Sequence, residues 1–280
     1  MVRICADSST MRNTAQAAAA GYSMVPLSVT IDGSSYRELD EIDSDRFLTK
    51  IAEGHLPTSS QPSLGDMEDM FNAETQTADE VLHISMADGL SGAYQSCCTA
   101  ASLCDHPEKV TVINSRTLCG PHRYLVDHAV RLAKEGLSCA EIVQRTEQLI
   151  ETTVSFLVPA DFAYLRRGGR LSPLVSYVGQ AVRFVPLMTT TEDARRLTVA
   201  GVKRSFAQAV DTMAKKFSAM GAGRDWLISI SHAAAPDRAQ QAMEQLKKAF
   251  PDATFEILPL TPAFITQGGP GCVAVQIIKM

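Results

Sequence analysis

The sequence predicts an α/β protein in two parts, and three observations carry the prediction. Strand-like and helix-like segments alternate through the first ~155 residues, the pattern of a parallel sheet wrapped by helices. Near Val154–Pro159 the style changes, and short apolar runs and polar turns replace the regular alternation. The composition, 45% hydrophobic and 20% charged over 280 residues, is that of a globular chain. At this length a sizeable core can be buried in one large domain or two modest ones. The expected division is an N-terminal α/β domain over residues 1–155 and a C-terminal α/β domain over residues 156–280.

The elements follow in order. "VRICADSS" reads as a buried strand ending in Asp7-Ser8-Ser9, and an Ala-rich helix from Asn13 to Ala20 stops at Gly21. "SMVPLSVTID" is apolar and β-branched and reads as one strand, with Asp32-Gly33 as its turn. "SDRFLTKIAEGH" is a helix with Ser44 as N-cap and Phe47, Leu48 and Ile51 on one face. "LGDMEDMFNA" puts Met67, Met70 and Phe71 on one helical face, and "EVLHISM" is a strand. "LSGAYQSCCTAASLC" is small and apolar nearly all round, which suggests a buried helix. "KVTVINS" is a strand, and two helices follow, the second opened by a capping box of Ser138 and Glu141. In the second part, "DFAYLRRGGRLSP" is loop and short helix, and "FVPLMTTTEDARRLTVAGVKRS" is strand, polar turn and strand. "SFAQAVDTMAKKFSAM" and "PDRAQQAMEQLKKAF" are helices; "DWLISISHA", "ATFEILPLT" and "CVAVQIIKM" are strands.

Composition also narrows function. A net charge of -5 gives no whole-molecule reason to expect nucleic acid. No apolar run approaches the ~18–20 residues that span a bilayer, so no integral membrane segment is expected. The seven cysteines form no C-x-x-C, and "MVRICADSST" turns polar too early for a secretory leader. A reducing cytoplasm is the expectation. Cys119 and His122 make a single C-x-x-H with no second pair at metal spacing, so neither metal nor cofactor is expected.

Three polar loops stand out: Asp7-Ser8-Ser9, Thr58-Ser59-Ser60-Gln61 within "PTSSQPS", and Ala87 to Gly92. Ligands of open parallel sheets bind outside the carboxyl ends of the strands, where the first and third loops should meet. Ser91 stands near a helix start, where free N–H groups favour an anion, and Gly92 permits close backbone approach. Hydroxyls in such a place can hold a carboxylate or phosphate; they can equally be plain caps and turns. "GLSGA" resembles a nucleophile elbow, which would make Ser91 a serine-hydrolase nucleophile with His232 and Asp237 as partners. That motif wants Gly where Ala93 stands, and the stretch from Met86 to Ser91 is too long for a tight elbow. "RRGGR" offers Arg166, Arg167 and Arg170 as an oxyanion contact, a docking patch or a solvated loop, and Arg204 in "GVKRS" has the same choices. "TQGGPGC" is a glycine-proline loop without dinucleotide or P-loop order. Met67, Met70, Met86 and Met188 line an adaptable pocket or fill the core.

Seven motifs in order, "ADSS", "VPLSVTIDG", "PTSSQPS", "LSGAYQSC", "YLRRGGRLS", "VKRS" and "GGPGCVA", make the whole chain resemble the DegV family, the fatty-acid-binding subunits of bacterial fatty acid kinase. The resemblance implies a two-domain α/β fold with a ligand tunnel between the domains. It implies one long-chain fatty acid in the tunnel, its carboxylate held by hydroxyl loops, and no catalysis by this chain. A separate ATP-dependent kinase subunit, docking near Arg166, Arg167 and Arg170, would then form the acyl phosphate. Carried over by motif, the ligand-binding residues are Thr58, Ser59, Ser60, Ser91, Gly92, Arg204, Gln267 and Gly269. Family members usually have Ser-Ser where Ala87-Asp88 stand, Thr at Ala93 and His at Gln267. Gln donates a hydrogen bond but cannot become cationic, and Asp88 would repel a carboxylate unless it points to solvent.

Overall fold

The computed structural model describes residues 1–172 and 184–280. Its first sheet is parallel, in the order β2-β1-β6-β7, from β1 (Val2–Asp7), β2 (Ser23–Val25), β6 (Glu80–Ser85) and β7 (Val110–Asn114). Its central strands, β1 and β6, are buried along most of their length on both faces, which explains their largely apolar runs, while the edge strand β7 is only partly buried. On one face α3 (Leu64–Thr75) and α4 (Ala93–Leu103) bring Met67, Phe71, Cys97 and Ala100 against Val81. On the other, α5 (Cys119–Lys134) and α6 (Cys139–Ile150) bring Val126 and Ile142 against Ile4, Leu82 and Ile84.

The second sheet has six strands in the order β10-β9-β8-β13-β11-β12. These are β8 (Val154–Val158), β9 (Val185–Thr190), β10 (Leu197–Lys203), β11 (Trp226–His232), β12 (Thr254–Pro259) and β13 (Val273–Lys279). Helices α8 (Phe206–Ala219) and α9 (Pro236–Ala249) cover one face, where Phe217 and Leu246 pack on Phe156, Ile228, Ile230 and Val275. The opposite face meets α5 and α6 through Leu125, Ile150, Leu227 and Ile278. One helix layer therefore serves both sheets, and the sheets stack with it between them.

A small antiparallel sheet, β4-β3-β5, joins β3 (Ser28–Ile31), β4 (Ser34–Arg37) and β5 (Thr58–Ser60). It packs with α2 (Ser44–Ala52) and with α10 (Pro262–Gly268), sharing Val29, Ile31, Phe47, Leu260 and Ile265. Among the described residues, the remaining α-helices are α1 (Thr14–Ala20) and α7 (Phe162–Gly168).

Several local expectations need correction. "SMVPLSVTID" is two strands in two different sheets, because Pro26, with no N–H to give a ladder, separates β2 from β3. The N-cap of α2 is Asp43, whose carboxylate accepts from Arg46 N at 2.8 Å; Ser44 instead donates to the carbonyl of Leu260 at 2.8 Å. "TSS" is a short edge strand rather than a loop. Helix α4 buries one face only, and Leu103 is 56% exposed. Helix α10 begins just after the strand expected to end at Thr261 and takes in the first residues of the glycine-proline loop expected from Thr266.

Candidate functional site

A cavity of about 380 Å³ opens between the second sheet and the loops of the first part. That lies within the ~300–1,000 Å³ of small-molecule sites. Its walls come from β5, the loop before α4, the start of α5, α7, α10 and strands β8, β9, β10 and β13. Much of the lining is apolar, including Leu27, Met86, Leu118, Leu157, Leu260 and Phe264.

The polar side chains gather where α10, β5 and the loop before α4 converge. Helix α10 starts with Pro262 in its first turn, where a missing N–H costs nothing, and its last turn carries Gln267. Gln267 donates to Ser59 Oγ at 2.9 Å, so one bond links the two chain halves across the cavity. Its amide oxygen lies against Gly168, where any Cβ would collide with it. Gly92 makes the same allowance for the amide oxygen of Gln61, whose nitrogen donates to Ser96. Ser91 accepts the N–H of Ala93 at 3.2 Å, which leaves its hydroxyl proton available. Arg170 donates through Nε to the carbonyl of Leu90 at 3.1 Å and through a terminal nitrogen to Gly168. It thereby ties the loop before α4 to the end of α7, and it has no carboxylate partner among the described residues. A guanidinium carries five N–H donors, so most remain for a ligand. Burial pulls its pKa below the ordinary value, yet it stays a cation at neutral pH.

Of the expected ligand-binding residues, the structure puts Ser59, Ser60, Ser91, Gly92 and Gln267 on the cavity wall. Thr58 is exposed and off the lining, at the end of β5 away from Gln61, whereas Ser59 and Ser60 both reach the wall and Ser59 is the less exposed of the two. Arg204 is exposed just past β10, outside the lining; its backbone N–H goes to Gln208. Gly269 also lies outside the lining: its missing side chain makes room for the ring of Tyr164. Arg170, expected as an oxyanion contact or part of a docking patch, lines the cavity, while Arg166 and Arg167 are exposed and Arg167 stacks over Tyr164 at 4.4 Å. Gln61, Leu90 and the α10 face are additions; their signal was proximity in sequence to Ser60, Ser91 and Gln267. Met86 lines the cavity, whereas Met67 and Met188 are buried in the core. Asp88 pairs with Arg195 at 2.8 Å and is absent from the lining, which removes its repulsion from the pocket.

The first polar loop is spent inside the fold. Asp7 is fully buried and accepts from Met86 N at 2.8 Å and Ser85 at 3.3 Å, joining the first and third loops. Ser9 bonds His122 Nδ1, and His122 Nε2 donates to the carbonyl of Ile84 at 2.9 Å. Burial lowers the His122 pKa, so the neutral ring takes both bonds. Ser91 has no imidazole partner among the described residues, and His232 Nδ1 accepts from Ala235 N. The arrangement therefore offers donors for an anion and a long apolar wall, without an assembled base for Ser91.

A family model described as "Uncharacterised protein, DegV family" matches residues 1–280. The DegV domain-containing protein YejH of Lactococcus lactis is 29% identical over 279 residues, 99% of this chain and 98% of that one. A DegV family protein of Thermus thermophilus, solved for its fatty acid binding, superposes with a TM-score of 0.90 at 26% identity, covering 100% and 99% of the two chains. A fatty acid binding DegV family protein of Streptococcus agalactiae superposes at 0.89 with 27% identity, also covering 100% and 99%.

Proposed function

The chain belongs to the DegV family, and from that premise we propose that it binds a long-chain fatty acid in this cavity. One observation carries the reading: an apolar cavity of about 380 Å³ ends in hydroxyls, amides and an Arg170 without an acidic partner among the described residues. Each buried methylene contributes ~0.8 kcal/mol, so the chain dominates gross affinity. A carboxylate taken from water needs several donors, and Ser59, Ser60, Ser91 and Arg170 are the candidates. Native mass spectrometry after gentle purification should show a bound mass matching a long-chain fatty acid. A protein that is empty and also refuses added oleate would sink the reading.

The finer step is presentation of the carboxylate to a separate ATP-dependent kinase for acyl-phosphate formation, with this chain as carrier. Family resemblance supports it, together with the exposed Arg166 and Arg167 on the helix that ends beside the cavity. Charge reversal at both should slow acyl-phosphate formation with a cognate kinase; an unchanged rate removes the docking role.

A further inference from the structure

A line of polar side chains crosses the cavity face of the second sheet. Strand pairing sets Gln276 opposite Ser155 on one side and Ser229 on the other, and Ser229 opposite Glu256. The β8–β9 register, continued one residue beyond Phe156 and Thr189, sets Thr190 opposite Ser155. Opposed residues face the same side, so Thr190, Ser155, Gln276, Ser229 and Glu256 form one transverse row over five strands. Two residues along, the row is Met188, Leu157, Ala274, Ser231 and Leu258, which is mostly apolar.

Three members of the polar row, Thr190, Ser155 and Gln276, line the cavity. Gln276 is 1% exposed, and its nitrogen donates to Ser155 Oγ at 2.8 Å and to the carbonyl of Leu118 at 3.0 Å. Those two bonds fix the amide orientation. Its oxygen finds no donor among the described residues, and the neighbouring Ser229 Oγ and Glu256 Oε1 are equally unpaired. Ser155 accepts from Gln276 and keeps its own proton to give. A plain hydrocarbon laid here would displace water from the Thr190 and Ser155 hydroxyls that line the cavity and leave them without that bond. The row also lies at a definite depth. Cys272 packs under Gly268, beside Gln267, and Gln276 is four residues further on, about 13 Å along an extended strand. That is beside the middle of a long acyl chain, far from its carboxylate.

We propose that the cavity takes a fatty acid hydroxylated near mid-chain, with the hydroxyl paired to Thr190 and Ser155, the latter held in place by Gln276. The inference rests on the fatty-acid reading above. Oleate and ricinoleate, which differ by one hydroxyl past the mid-chain double bond, provide the test by titration calorimetry. Ricinoleate should bind about five- to tenfold tighter, the equivalent of one new hydrogen bond. The ratio should fall toward one in Thr190→Val and in Ser155→Ala. Oleate binding as tightly as ricinoleate, or a ratio unmoved by both variants, overturns the inference and leaves the fatty-acid reading standing. Failure of both acids to bind removes that reading and the inference with it.

Discussion

Replacing Glu38 by Gln is expected to flatten the pH dependence of stability. Glu38 follows β4 and is fully buried. One carboxyl oxygen accepts from Ser8, and the other accepts the N–H of Ala263 in the first turn of α10 at 2.9 Å. Burial pushes its pKa from 4.5 up to about 7, with Asp7 adding to the rise and the two hydrogen bonds opposing it. The native state then holds this proton up to about pH 7, whereas the unfolded chain releases it near 4.5. Across that window the native state binds more protons, so stability falls as pH rises. The full gap is worth about 3 kcal/mol at ~1.4 kcal/mol per pH unit. Between about pH 5 and pH 8, wild type should lose roughly 2 kcal/mol more than Glu38→Gln, since the amide resembles the protonated acid and does not titrate. Urea unfolding at both pH values measures it, and the melting temperature should move by roughly 4–8 °C between the two proteins. Parallel pH profiles for the two proteins would refute the buried-proton argument.

Three further outcomes concern the polar end of the cavity. Arg170→Met keeps the packing stem and removes the cation; after discounting for its half-exposed position, oleate affinity should drop by ~1–2 kcal/mol and lose most of its salt dependence. Equal dissociation constants at two ionic strengths would remove Arg170 from the site. Gly168→Ala forces the amide oxygen of Gln267 aside and breaks its bond to Ser59, which should weaken binding by about 1 kcal/mol. Ser59→Ala should cost ~1–3 kcal/mol by losing a donor to the carboxylate, while Thr58→Ala should leave calorimetric affinity unchanged.

Sequence reasoning reached some of this through residues whose signal is local. The capping box at Ser138 and Glu141 is present as read, and Asn13 and Gln16 make a second one. Elsewhere the decisive facts are tertiary. Asp43 and Ser44 are both good caps, and a carbonyl from distant Leu260 claims Ser44. Thr58, Ser59 and Ser60 look alike in sequence; only the placing of β5 beside β3 and the cavity separates Ser59 and Ser60, which reach the wall, from Thr58, which does not. Arg170 cannot be told from Arg166 by type, and only the approach of Leu90, eighty positions away, turns it into the cavity. Helix α10 is seven residues long, too short for a clear period, although Thr261 and Pro262 carried its start signal.

The place of β13 has a consequence for how the protein comes together. It pairs with β8 on one side and β11 on the other, although it follows both in sequence, and Val154 meets Ile277 only after the intervening segments exist. Until it inserts, two sheet edges stand open, and pairings this remote form slowly. A growing chain can complete its first sheet early but lacks part of the cavity floor until β13 arrives. Closure of the cavity is thereby deferred until β13 is in place, and in the interval the open edges of β8 and β11 are where chaperone protection would matter most.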